Sequence, residues 1–156
     1  MPAKRFVFRL QTVLEMRLRK EEEEKKKLGE LIAWQKNEEA ILASMVAKED
    51  ATRASLREKQ AMGQYLEIDE LQRISLFLKK IARDIVAQRE KLVEIARQIE
   101  IQREALVKAV QEKKILETLK ENQYNEWLAE VEAEEAKVLD ELATLKYARE
   151  GYAQDD

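Results

Sequence analysis

LQRISLFLKKIARDIVAQREKLVEIARQIEIQREAL, residues 71–106, is the stretch on which the fold turns. Leu71, Leu78, Ile85, Leu92, Ile99 and Leu106 recur seven residues apart without a break. Ile74, Ile81, Ile95, Ala109 and Leu116 fill the interleaved positions, with Gln88 and Gln102 as the polar members of that second row. A strict seven-residue apolar repeat keeps one stripe of a helix against a neighbour only when the two wind into a left-handed supercoil. Residues 71–106 therefore predict a coiled-coil helix with a partner strand.

The partner is found upstream. From about Arg9 to Gln60 there is no Pro, and Gly29 is the only Gly. Leu14, Leu28, Leu42 and Leu56 fall at two-heptad intervals, with Leu10, Leu31 and Met45 between them. Glu21, Gln35 and Glu49 interrupt the leucine row, and Glu24, Glu38 and Thr52 interrupt the second, so the pattern is helical but poor for a tight coil. The run EEEEKKK at 21–27 sets Glu21, Glu22 and Glu23 each four residues before a Lys, the orientation that supports a solvated helix. Gly63 is the expected break, with Asp69 as N-cap of the next helix and Gln72 at the capping-box position.

Folding back at Gly63 places positions whose numbers add to about 128–130 opposite each other: Leu56 near Leu71 and Ile74, Leu42 near Ile85, Leu28 near Ile99, Leu14 near Leu116. The expected fold is all-α, one antiparallel two-helix coiled-coil hairpin over residues 1–156, with helices at about 9–60 and 69–149 and a turn at about 61–68. At 1.5 Å per residue the hairpin is about 75 Å long. After Leu116 the apolar phase slips by one residue around Leu119 to Trp127, and Leu128, Val131, Val138, Leu142 and Leu145 carry the seam onward. The second helix outlasts the first by roughly 20–25 residues, a tail of about 30–40 Å with no strand left in the chain to face it. Phe6, Phe8 and their neighbours, another copy, or a different protein must cover that seam. Gly151 is the expected stop.

Composition agrees with an elongated helical body. Of 156 residues 39% are charged and only 6% aromatic, with one Pro, three Gly, no Cys and no His. So much charge requires most side chains to face water. A net charge of −3 gives no general reason to expect nucleic acid. The charge is nevertheless uneven: residues 1–20 hold six bases against Glu15, and residues 126–156 hold ten acids against Lys137, Lys146 and Arg149. The basic start never gives an uninterrupted apolar run, so it does not read as a signal peptide, and no stretch approaches the roughly 20 apolar residues of a membrane span. A cytoplasmic protein is expected, with any membrane association through a partner and no direct insertion.

The residues that chemistry needs are missing. There is no His, no Cys, no phosphate-cradling Gly-rich loop, and no carboxylate pair set in a pocket. No enzymatic activity, cofactor or metal is expected. Glu130, Glu134 and Glu135 read as a solvated acidic face, since no calcium-loop order surrounds them. Phe6 and Phe8 among basic residues suggest a protein contact or a staple on the second helix rather than a nucleic-acid platform. Trp34 and Trp127 are the two tryptophans; Trp127, inside the phase slip, is read either as a buried filler or as a partner anchor.

Three segments resemble one family. Residues 6–15, FVFRLQTVLE, resemble the FxFxLxxVL opening of the FliJ family of flagellar export proteins; residues 113–121, KKILETLKE, look like its K-x-L-E-x-L-K stretch; residues 139–143, LDELA, look like its LDELA element. They occur in the family's order along nearly the whole chain, although some members have a longer, more polar loop than the one at Gly63. The resemblance implies a component of the bacterial flagellar type III export apparatus, serving flagellum biogenesis, protein transport and motility. It implies an antiparallel two-helix coil similar to the central stalk of rotary ATPases, with partners in the hexameric export ATPase, the membrane export gate and the substrate chaperones. By that resemblance Phe6, Phe8, Leu10, Leu14, Leu116, Leu119, Trp127, Asp140 and Glu141 face the ATPase, and Phe77 and Ile81 face the gate. The protein is then expected to be monomeric alone, cytoplasmic, and peripheral at the inner face of the cell membrane. The alternatives left open are the stalk of a virulence type III secretion system and a general coiled-coil chaperone or adaptor.

Overall fold

A computed structural model describes residues 5–63, 65 and 67–154. Among these residues there are two helices, α1 (Gln11–Ala61, 51 residues) and α2 (Ile68–Gln154, 87 residues). Residues 1–4, Gln64, Leu66, Asp155 and Asp156 lie outside the described residues. Contacts group the chain into two compact units, Glu22–Lys108 and the combination of Met1–Glu21 with Ala109–Asp156.

Within Glu22–Lys108, α1 ends where Gly63 takes a φ of +70°, a left-handed conformation that favours a residue without Cβ. The Met62 amide still donates to the Glu58 carbonyl at 3.1 Å, and the Gly63 amide to Gln60 at 3.1 Å, which tightens the final turn. α2 opens with the Leu71 amide donating to the Glu67 carbonyl at 3.0 Å. Asp69 thus lies inside the first turn, not at its cap; there, with Glu70, it still meets the positive end of the helix dipole. Lys59 reaches Glu70 at 3.3 Å across the turn.

The seam of this unit is built on α2. Ile81, Ile85, Ile95 and Ile99 are buried, and Ile95 is sealed completely at 0% exposure. Glu24 and Glu38, which interrupt the second row of α1, are buried as well, and each meets a glutamine of α2. Gln88 donates to the Glu38 carboxylate at 2.5 Å and to the Glu38 carbonyl at 3.0 Å. Gln102 donates to the Glu24 carboxylate and, at 3.2 Å, to the Glu24 carbonyl. The two layers are the same interaction repeated two heptads apart on both helices, with Leu31 and Ile95 at the positions midway between. Among the described residues no buried side-chain nitrogen or oxygen lacks a partner. An amide and a carboxylate that satisfy each other keep the cost of burial low, while either facing an isoleucine would cost several times more.

In the second unit, residues 5–10 lead into α1, with the Gln11 amide donating to the Phe8 carbonyl at 3.1 Å. Phe8, Leu14 and Ala109 are buried. Cross-helix polar contacts flank them: Arg17 to Glu112 at 2.7 Å, Lys113 to Glu21 at 2.7 Å, and Lys120 to the Gln11 side chain at 2.8 Å. Beyond Glu134 every α2 residue through Ala153 is exposed. The helix passes through Gly151 and reaches Gln154, further than the stop expected near 149. Gly151 keeps a negative φ; a mid-helix Gly costs only about 1 kcal/mol, which does not end a helix unless a cap is offered instead.

Candidate interaction surfaces

The N-terminal aromatic pattern and the phase slip on α2 meet. The Phe6 ring packs edge-on to Tyr124 with centroids 5.3 Å apart, and lies 6.0 Å from Trp127. Tyr124 and Trp127 are themselves 5.8 Å apart, as residues three apart on one helix face are. Phe8 and Leu14, in the same unit, are buried. Trp127 is half-buried and engaged, so it fills space and presents an edge at the same time. Tyr124 does not stand out in the sequence by residue type; its position one turn before Trp127 on the same face is the signal that points to it.

The other terminal candidates divide by exposure. Leu116 is half-buried, while Leu10 and Leu119 are exposed at 38% and 36%. Asp140 and Glu141 stand on the bare stretch of α2, among exposed Val138, Leu139, Leu142 and Leu145. The apolar stripe here has the spacing of a coiled-coil seam and, among the described residues, no chain segment over it. Phe6 and Trp127 thus pack together and Phe8 is buried, whereas Asp140 and Glu141 belong to an accessible helix.

Near the turn the candidates separate in the same way. Phe77 is exposed at 40%, and Ile81 is buried in the seam at 7%. A partner can therefore touch Phe77 directly and feels Ile81 only through the backbone it holds. Met62, Tyr65 and Ile68 are more open still. Open grooves run along both sides of the hairpin at this end, one bordered by Leu56, Leu71, Leu78 and Lys79, the other by Thr52, Ser55, Lys59 and Arg73.

Trp34 shows how a tryptophan is used on a thin coil. Its indole N–H donates to Glu38 at 3.2 Å, and the Lys91 ammonium sits 5.9 Å above its ring while reaching Glu38 at 3.1 Å. Hydrogen bonds from Gln88 first, and then from Lys91, hold the Glu38 carboxyl below the ordinary carboxylate range. Glu94 is likewise lowered, chiefly by Arg97, and Arg97 is raised by Glu94. These shifts belong to ion pairs on a helix surface and a seam, not to a cleft. Among the described residues no group of acidic, His or Cys side chains comes together to hold a metal ion, and no helix is long and apolar enough to cross a membrane.

The family described as "Flagellar FliJ protein" matches residues 6–152. No curated protein and no solved structure matches the chain.

Proposed function

The chain belongs to the FliJ family, non-enzymatic components of the flagellar export apparatus, and from that premise we propose that it acts as a stalk for the export ATPase. The observation that carries this reading is the bare end of α2. Val138, Leu142 and Leu145 keep the spacing of a seam at 54–60% exposure, on a helix already built and needing no ordering before it is gripped. Nearby acids Asp140 and Glu141 favour a socket lined with basic and apolar residues. The base of Phe6, Phe8, Leu14, Leu116 and Trp127 holds this helix upright, and Leu10 and Leu119 offer apolar surface beside it. A two-helix coil has no six-fold symmetry, so a hexameric ring surrounding it meets a different face at each subunit. Differential contact of that kind biases the subunits of a ring without any chemistry in the stalk.

Exposed Phe77, on the unit that ends at the turn, suits the membrane export gate, with Ile81 keeping its helix in place. The exposed apolar residues around the turn also suit the chaperones that escort export substrates. The protein then works at the cytoplasmic face of the cell membrane, held there by its partners.

The test is phosphate release by the cognate export ATPase, with ring formation followed by electron microscopy. The protein is expected to promote hexamers and raise turnover, and Leu142→Glu with Leu145→Glu to abolish both while leaving the helix content unchanged. Full stimulation by that double variant defeats the assignment of this surface. No effect of the native chain on the ATPase defeats the stalk reading and leaves an adaptor for gate and chaperones.

A further inference from the structure

A second apolar track leaves the seam row of α2 at Leu71 and Leu78 and runs onto a neighbouring flank of the helix. It begins in the groove bordered by Leu56, Leu71, Leu78 and Ala82, and continues over Val86 and Val93, which are 54% and 72% exposed. Small residues Ser75 and Ala82 leave the room that a neighbouring helix needs. From Leu71 to Val93 the track is about 33 Å long.

Its rim is cationic. Arg53 and Lys79 border the groove, and Arg83 borders its continuation beside Ala82 and Val86, with Glu90 one heptad further on. Arg89 follows on the same flank. Arg97 and Arg103 further along are already held by Glu94 and Glu100 at 2.6 and 2.8 Å. Among the described residues no ion pair or hydrogen bond engages Lys79, Arg83 or Arg89. An apolar floor with three unengaged cations calls for a helix with an apolar stripe between acidic flanks.

The chain itself supplies such a helix. On α2 the stripe from Leu128 to Leu145 spans about 26 Å, within about two turns of the length of the track. Glu132, Glu134 and Glu141 flank it, and Val138, Leu142 and Leu145 are open to solvent. We propose that the acidic C-terminal stretch of one copy docks into the basic-rimmed groove at residues 71–93 of a second copy. The acidic character of the stretch disfavours pairing with its own twin, since like charges would then face each other along the seam. Groove and stretch are different surfaces, so each contact joins unlike surfaces of the two copies. It covers in the free protein the stripe that the stalk reading offers to the ATPase, but it rests on charge and exposure alone and stands independently of that reading.

The test uses the full chain in sedimentation velocity over a concentration series at low and high salt. Concentration-dependent association that weakens with salt is expected. Lys79→Glu/Arg83→Glu/Arg89→Glu and, separately, Glu132→Lys/Glu134→Lys/Glu141→Lys are each expected to weaken it roughly tenfold or more, with helix content by circular dichroism unchanged. Mixing the two charge-reversed variants is expected to restore association, because the reversed groove then meets the reversed stretch. A native chain that stays monomeric throughout overturns the proposal. So does association that survives in either variant, which is the result of stripe-to-stripe pairing, and so does a mixture that fails to restore it.

Discussion

α2 carries two apolar stripes that look alike as sequence and behave in opposite ways. Between Ile81 and Ile99 the stripe is sealed against α1, down to 0% exposure at Ile95. Between Val138 and Leu145 equally apolar residues at equal spacing stand 54–66% exposed. The same helical propensity builds both stretches, so what separates them is the presence of a second helix. A heptad repeat records that a partner exists; it does not record whether the partner lies in the same chain.

The sharpest way to break this contrast is a pair of truncations. Ile95→Ala is expected to cost about 3–4 kcal/mol in denaturant unfolding, since it removes a sealed side chain and leaves a cavity. Leu142→Ala on the bare stretch is expected to stay within about 0.5 kcal/mol in the monomer. Comparable losses at the two sites show that the bare stretch is covered in solution. Next in size is Gln88→Leu, which takes the principal partner from a carboxylate held in the seam. It is expected to lower the midpoint of thermal unfolding clearly, and Glu38→Leu added to it to restore that midpoint, because two apolar side chains then meet where one was stranded.

A smaller effect separates the regions by pH. Glu38 is held below its ordinary value, so its contribution is complete at neutral pH and is lost as pH falls through the folded-state value, below the usual carboxylate range. Thermal midpoints measured from pH 7 downward are expected to fall less steeply in Glu38→Gln than in the native chain. An unchanged acid slope shows that other carboxylates govern it. Smallest is Gly151→Ala, at about 1 kcal/mol and confined to the helix end: slower amide exchange over the last turns is expected, with no change in the global midpoint.

Much of this architecture was legible beforehand. The unbroken row from Leu71 to Leu106 gave α2, the two-heptad leucines gave α1, and Gly63 marked the turn, because each signal is local to one helix. The polar layers were not legible. Glu24 and Glu38 read as flaws in the α1 rows when taken with their own helix. Their meaning lies in Gln102 and Gln88, each more than 45 residues away, and surfaces only once the register between the helices is known. Lys113 does the same for Glu21. Of the candidate surfaces, the aromatic base was half visible, since Phe6 and Trp127 stood out by type while Tyr124 did not. Phe77 and Ile81 looked equivalent at a spacing of four; a difference in burial parts them, and burial depends on where α1 lies.

The paired Glu–Gln layers also limit how this protein's length can change over time. Glu24 and Glu38 are fourteen residues apart, as are Gln88 and Gln102, and both pairs close together. An insertion between the two glutamates would strand one carboxylate unless a matching insertion arose between the two glutamines. Gains and losses of sequence in this region are therefore tolerated only as compensated pairs. Past Leu145, where among the described residues α2 has no opposite strand to keep step with, a turn of helix can be added or removed singly, and reach is the property that such changes adjust.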